Sequence, residues 1–270
     1  MVDLSRCRRE GKPSVKLKFA RYILKRTGDI LLGRGMNFAV RIDSSGIPDG
    51  WICLSDFRTG IKNRPELGEY NRNRIHNMRL CVKLMNGVGI MPGQVFSMMR
   101  LVGDPTEKKG FAAGPVLSRG KLVMLDGGGL CQVSTAIFNS ALLAGLNILE
   151  KHNHRYDYWG DARFIELGRD AAYAFILKDI KFKNRFRFPV RLRLAVDEQA
   201  CEFVCGIYSE RPSGETHTVR TEVLEEYRPD GFIPGWKVKT ERMSEKDGVS
   251  RTTYSMTETY LPLKGKSHDT

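Results

Sequence analysis

The sequence lacks any apolar run long enough to cross a bilayer. Although 41% of the 270 residues are hydrophobic, no segment approaches the ~18 to 20 consecutive apolar residues that a membrane-spanning helix needs. The N-terminal stretch also lacks the apolar core and the small-residue cleavage site of a secretory signal. From these absences we expect a cytoplasmic protein.

Cysteine is present but sparse, and its spacing is not that of a disulfide framework. The six cysteines stand at positions 7, 53, 81, 131, 201 and 205, so each is expected to be a free thiol in a reducing compartment. Internal repeats and low-complexity linkers are also missing. Changes of pattern predict three segments: a basic lead-in over 1–67 with one amphipathic helix, a central domain over 68–200, and a β-rich extension over 201–270.

Positive charge is in excess and unevenly spread. The chain has 44 Lys and Arg against 31 Asp and Glu, a net charge of +13, which favours anionic partners. The segment 15–26 would form a helix with one basic face, so peripheral contact with an anionic membrane surface is one interpretation. Packing of this helix on its own domain is the interpretation we favour. Nucleic-acid binding is not expected, because aromatic residues do not alternate with the basic ones in a recognisable pattern.

The periodicity of apolar residues predicts an α+β fold. Helices are expected over 68–87 and 130–144, the second apolar almost all round and therefore buried. A hairpin is expected over 114–125, and extended chain over 148–159, 171–178, 189–196, 201–208 and 215–262. Together these patterns indicate an antiparallel β-sheet wrapped around a central buried helix, with a β-rich C-terminal part.

Three glycines precede one of the cysteines. Gly127, Gly128 and Gly129 permit positive φ and close approach of another chain. Cys131 would then lie in the first turn of the buried helix, where unpaired N–H groups and the helix dipole favour a thiolate. The same N–H groups could hold an oxyanion formed when the sulfur attacks a carbonyl. No Lys-Ser/Thr pair follows the glycines, which argues against a phosphate-binding loop.

The following extended segment offers a base. His152 and His154 would lie on one face, with Glu150 or Asp170 available to orient the ring. The competing interpretation is a packing turn followed by a small core cysteine. A zinc site of the two histidines with Cys131 is disfavoured, because no second pair of closely spaced ligands accompanies it. The sequence therefore predicts neither a metal nor another cofactor.

Four stretches in fixed order carry a resemblance to a known family. They are "NGVGIMPGQVFSMMRLVG", "DGGGLCQVSTAIFNSALLAGLNILEKHNH", "GRDAAYAF" and "DIKFKN". Over roughly residues 70–195 the chain resembles the VanW family, named for an accessory protein of vancomycin-resistance gene clusters. Some VanW domains have been assigned L,D-transpeptidase activity, in which a cysteine thioester cross-links peptidoglycan stem peptides.

The resemblance implies roles for particular residues. Cys131 would be the nucleophile and His154 the base, with His152 as the second candidate for the base. Substrate contacts are expected from the glycine turn and its neighbours: Gly127, Gly128, Gly129, Gln132, Ser134, Thr135, Arg169 and Asp170. The implied partner is a cell-wall peptide or precursor, and the alternative is a non-catalytic module that binds a precursor or a glycopeptide. Transpeptidase members act outside the cell, and the export signal or anchor that they carry is not recognisable in this sequence.

Overall fold

The computed structural model describes residues 15–32, 37–43, 45–118, 121–158, 160 and 163–264. The helices are α1 (Val15–Leu31), α2 (Glu69–Met85), α3 (Met98–Val102) and α4 (Leu130–Leu143). The strands are β1 (Ile52–Gly60), β2 (Gly89–Ile90), β3 (Val95–Ser97), β4 (Ala113–Ser118), β5 (Lys121–Asp126), β6 (Asn147–Glu150), β7 (Lys181–Lys183), β8 (Val190–Asp197), β9 (Glu202–Ser209), β10 (Thr216–Tyr227), β11 (Phe232–Ile233), β12 (Gly235–Lys246), β13 (Val249–Tyr260) and β14 (Leu263–Lys264).

The strands pair antiparallel in several small sheets. The largest has the order β1-β9-β8-β2, and two three-stranded sheets have the orders β3-β7-β6 and β10-β12-β13. The hairpin β4-β5 and the short pair β11-β14 complete the strand pairing. Strand β1 lies in the lead-in, β8 in the central segment and β9 in the extension, so all three predicted segments contribute to one sheet. The predicted α+β class is confirmed.

Helix α4 forms the centre of the hydrophobic core. Val133, Ile137 and Phe138 on this helix have no exposed surface, and the helix packs against β1 and β9. Burial of each large side chain stabilises the fold by about 1.5–3 kcal/mol. At the C-terminal end of the helix the buried Arg242 of β12 donates hydrogen bonds to the carbonyls of Leu142 and Leu146, at 2.9 and 2.8 Å. These bonds satisfy carbonyls at and just beyond the end of the helix.

Two segments expected to be strands leave the sheets instead. Strand β6 ends at Glu150, and the chain from 171 to 178 is a loop that contains a turn with Ile176 at φ 72°. The two segments share one backbone bond, from the Ala172 N–H to the His152 carbonyl at 2.7 Å. Beyond this bond, side-chain contacts take the place of backbone pairing between strands. Buried Lys151 donates a hydrogen bond to the Gly168 carbonyl and forms an ion pair with Glu258 of β13. The prediction of strands here was wrong.

Helix α1 lies against the sheet β3-β7-β6. Lys25 forms an ion pair with Glu150, and Asp29 forms another with Lys181 at 2.5 Å. Leu24 remains largely exposed. These ion pairs support packing of the helix on its own domain. Among the residues that the structure describes, no helix combines the length and the apolar character needed to cross a membrane.

Candidate active site

The turn before α4 is built from glycine for steric reasons. Gly127 and Gly129 have φ of 85° and 102°, in a region that other residues rarely adopt. Gly128 packs directly on β4, since a Cβ added to it would lie 2.3 Å from the carbonyl carbon of Gly114. The three glycines therefore let the β4-β5 hairpin pass close to the first turn of α4.

Cys131 occupies that first turn and is half-buried. Its Sγ lies 3.7 Å from the carbonyl oxygen of Tyr173, to which the thiol can donate. Within the described part of the chain, the backbone N–H groups of Gly129 and Cys131 have no backbone acceptor. The sulfur is thus accompanied by two unused donors at the positive end of the helix dipole.

A chain of hydrogen bonds runs from His154 into the protein. His154 Nδ1 is 2.7 Å from Asp170 Oδ2, and the same oxygen accepts the His154 backbone N–H at 2.8 Å. The other oxygen of Asp170 accepts the hydroxyl of Tyr260 at the end of β13. The Tyr260 hydroxyl in turn accepts the Gly168 N–H at 2.8 Å. These hydrogen bonds hold Asp170 from two sides. Because Asp170 contacts Nδ1 of His154, the Nε2 atom of the ring remains available to another group.

Cys131 and His154 stabilise each other in their charged forms. Burial raises the pKa of the Cys131 thiol, but hydrogen bonding to His154 and attraction to its charge outweigh burial and lower that pKa below its usual value. Burial lowers the pKa of His154, whereas hydrogen bonds to Asp170 and Cys131 raise it well above its usual value. Between the two values the pair exists as a thiolate and an imidazolium. The arrangement therefore favours the nucleophilic thiolate form of Cys131 at a lower pH than in an ordinary thiol.

The three residues line one open pocket of about 290 Å³. Its walls come from the glycine turn, strands β4 and β5, the stretches 154–158 and 163–167, and the loop after Asp170. Aromatic side chains such as Tyr156 and Phe164 contribute much of the lining. Charged side chains of both signs complete it: Lys62, Arg64, Arg74, Asp126, Asp157, Arg163, Glu166 and Asp170. A concave pocket of this size, with apolar and charged side chains in its lining, can hold a short peptide.

The second candidate base lies elsewhere. His152 Nε2 is 2.9 Å from Glu150 Oε1, and His152 does not line the pocket. Since His152 pairs with a carboxylate outside the pocket, the His-x-His pattern does not converge on Cys131. No group of three His, Cys, Asp or Glu side chains in the described residues is arranged to hold a metal ion.

The remaining residues expected to contact substrate divide into two groups. Gly127, Gly129 and Gln132 line the pocket, and Gln132 Nε2 donates to the carbonyl of Gly60 at 2.9 Å. Gly128, Ser134, Thr135 and Arg169 do not line the pocket.

The hydroxyls of this second group hold the loop that carries Asp170. Ser134 and Thr135 are fully buried, and both hydroxyls donate to the Ala171 carbonyl. Thr135 Oγ1 also accepts the Ala171 N–H at 2.9 Å. Asn139 and Arg169 hydrogen-bond to each other one turn further along α4. These side chains position the loop that carries Asp170.

Sequence reasoning missed two residues of the site. Arg74 lies on the buried face of α2 together with Met78 and Cys81. A charged residue on an otherwise apolar helix face is unusual, and this pattern in the sequence could have identified it. Tyr260 had no local signal, because it reaches Asp170 from a strand ninety positions along the chain.

A cysteine with a lowered pKa, a histidine and an aspartate lie together at the N-terminus of a buried helix and define a candidate cysteine-nucleophile site on an α+β domain. Residues 73–205 match the model of the VanW-like protein family. The chain belongs to the VanW family through this region, which covers about half of its length and contains Cys131, His154 and Asp170.

Two curated relatives are similar to the chain. It is 32% identical over 135 residues to the uncharacterized protein YoaR of Bacillus subtilis, covering 47% of this chain and 43% of that protein. It is 26% identical over 175 residues to the vancomycin B-type resistance protein VanW of Enterococcus faecalis, covering 64% of this chain and 62% of that protein. The chain therefore spans less than two thirds of either relative. No solved structure matches it.

Proposed function

We propose that this VanW-like protein is a cysteine acyltransferase of the L,D-transpeptidase type, acting on stem peptides of the cell wall. The observation that carries the proposal is the placement of Cys131, His154 and Asp170 around one open pocket, where His154 is held by Asp170 at 2.7 Å and lowers the pKa of the Cys131 thiol. A structural cysteine needs neither a lowered pKa nor a partner histidine held by a carboxylate.

In the first half-reaction the Cys131 sulfur attacks the carbonyl carbon of a peptide bond in the donor. A carbon–sulfur bond forms, the carbon–nitrogen bond breaks, and the leaving amine takes a proton from the His154 imidazolium. In the second half an acceptor amine attacks the thioester and gives a proton back to His154, so the thiolate and the imidazolium are restored. With water as acceptor the same steps give hydrolysis.

The developing oxyanion needs donors that are not already used. The N–H groups of Gly129 and Cys131 meet this requirement, because neither has a backbone acceptor among the described residues. Loss of one such donor typically costs about 100- to 1000-fold in rate. The glycine turn would then serve both the packing of β4 and the stabilisation of the tetrahedral intermediate.

The substrate class rests on the family. The Enterococcus relative is named as a vancomycin B-type resistance protein, and the VanW resemblance implies transpeptidation of stem peptides. The size of the pocket, about 290 Å³, and its aromatic lining are compatible with a few residues of such a peptide.

The test is to trap the acyl-enzyme. The protein is incubated with a muropeptide that carries a tetrapeptide stem, and its intact mass is followed with time. We expect an adduct equal to the acyl group in the native protein, none in Cys131→Ala, and a much slower one in His154→Ala. His152→Ala is the matched control, since its ring pairs with Glu150, and it should form the adduct at the native rate.

The opposite result would be absence of an adduct with every donor while the peptide still binds to both the native protein and Cys131→Ser. That result would refute acyl transfer and favour a binding module that uses the same pocket without turnover.

A further inference from the structure

Arg74 is a buried cation without a carboxylate partner. Its residue is 8% exposed, on the inner face of α2. Nη2 donates to the Lys62 carbonyl and to Asn71 Oδ1, the latter at 3.2 Å, and Nε has no hydrogen-bond partner. Within the described ranges no carboxylate lies in ion-pair range of this guanidinium. An unpaired buried charge is costly, so its retention calls for an explanation.

The position of Arg74 ties it to the candidate site. It lines the same pocket as Cys131, and it packs on the glycine turn, because a Cβ added to Gly129 would lie 2.7 Å from Arg74 Cγ. Gly129 is two residues before Cys131. Arg74 and Cys131 therefore line the same pocket on either side of the glycine turn, so one bound peptide can contact both side chains.

Arg74 keeps its positive charge in this position. Burial, followed by repulsion from Arg64, lowers the pKa of Arg74 to about 10, so the side chain is still positive at neutral pH. Glu66 is the acidic group that opposes this effect. A buried guanidinium with no carboxylate in ion-pair range can be neutralised by a negatively charged ligand that enters the pocket.

We propose that Arg74 binds the C-terminal carboxylate of the donor peptide, on the residue that leaves when Cys131 is acylated. A guanidinium presents donors in a fork that matches a carboxylate. The contact would restrict the enzyme to the last peptide bond of a short stem and exclude bonds inside a longer chain. The inference rests on the proposed function, and it adds that the donor peptide must end in a free carboxylate.

The test compares two donors that differ only at the terminus. One tetrapeptide ends in a free carboxylate and the other in a carboxamide, and the rate of Cys131 acylation is followed by mass. A charge-assisted hydrogen bond predicts that the native protein prefers the carboxylate by about 10- to 100-fold. Arg74→Gln should lose this preference and Arg74→Lys should retain part of it. Arg72→Gln, an exposed arginine of the same helix, should keep the native preference.

Binding to Cys131→Ala, measured by calorimetry with the same two peptides, separates the two proposals. Equal rates and equal affinities for the carboxylate and the carboxamide would overturn the role of Arg74 and leave acyl transfer standing. A preference in binding with no acylation of the native protein would support Arg74 as a carboxylate site and refute the enzyme. If Arg74→Gln melts far below the native protein, the native comparison together with Arg74→Lys decides the matter.

Discussion

Asp170→Asn should shift the reactivity of Cys131 toward higher pH. In the native protein Asp170 accepts hydrogen bonds from the Nδ1 and the backbone N–H of His154, at 2.7 and 2.8 Å. Its negative charge is one reason why the imidazolium form persists. The amide keeps the shape of the side chain but removes the charge, so the imidazolium becomes less stable and the thiolate loses part of its partner.

The size of the expected pH shift follows from the strength of the hydrogen bond between His154 and Asp170. A hydrogen bond between charged groups contributes about 1.5–3 kcal/mol, and about 1.4 kcal/mol corresponds to one pKa unit. Only the thiolate is alkylated, and its fraction rises with pH through the pKa of Cys131. Since His154 lowers that pKa in the native protein and Asp170 acts on the sulfur only through His154, the inflection of the alkylation rate should move upward in the variant by at most about 1 to 2 pH units.

The assay is the rate of alkylation by iodoacetamide as a function of pH, read on the Cys131 peptide by mass spectrometry. Cys81 and Cys205 serve as internal references, because burial raises the pKa of each thiol to about 12. Asp49→Asn, on an exposed residue, controls for the loss of one negative charge. If the profile of Asp170→Asn coincides with the native profile, the proposed coupling of the three residues is incorrect.

Three further changes test the surroundings of the site. Tyr260→Phe removes a donor to Asp170 and should lower the free energy of unfolding by about 1–3 kcal/mol in urea titrations, with a smaller shift of the alkylation profile in the same direction. Gly128→Ala should cost about 1–3 kcal/mol or more in the same titration, because its methyl group would overlap the Gly114 backbone; an unchanged midpoint would contradict this. Burial raises the pKa of Glu150, but hydrogen bonds from basic neighbours lower it below its ordinary 4.5. Its contribution to stability is therefore present above that pH and lost as the pH falls, so Glu150→Gln should flatten the fall in Tm on acidification, and a native slope would refute this.

The parts of the fold that the sequence could predict are those with local periodicity. The buried helix over 130–144, the helix over 68–87 and the hairpin over 114–125 were expected within one or two residues of α4, α2 and β4-β5. In each case the apolar pattern, the glycines and the turn signals agree with one another.

The parts that could not be predicted depend on contacts between distant segments. Residues 151–158 alternate like a strand, but the ion pair of Lys151 with Glu258 and the bond from His154 to Asp170 draw the chain away from β6. Ser134 and Thr135 lie one turn after Cys131 and look like site residues, yet the loop that carries Asp170 covers that face of α4.

The most direct test of the paired charges is the ultraviolet absorbance of the thiolate in a pH titration, as the difference between the native protein and Cys131→Ser. We expect the thiolate signal to emerge at a pH below the range of an ordinary thiol and to return to that range in His154→Ala, with His152→Ala unchanged. A difference signal that emerges only in the alkaline range of an ordinary thiol, with or without His154, would contradict it.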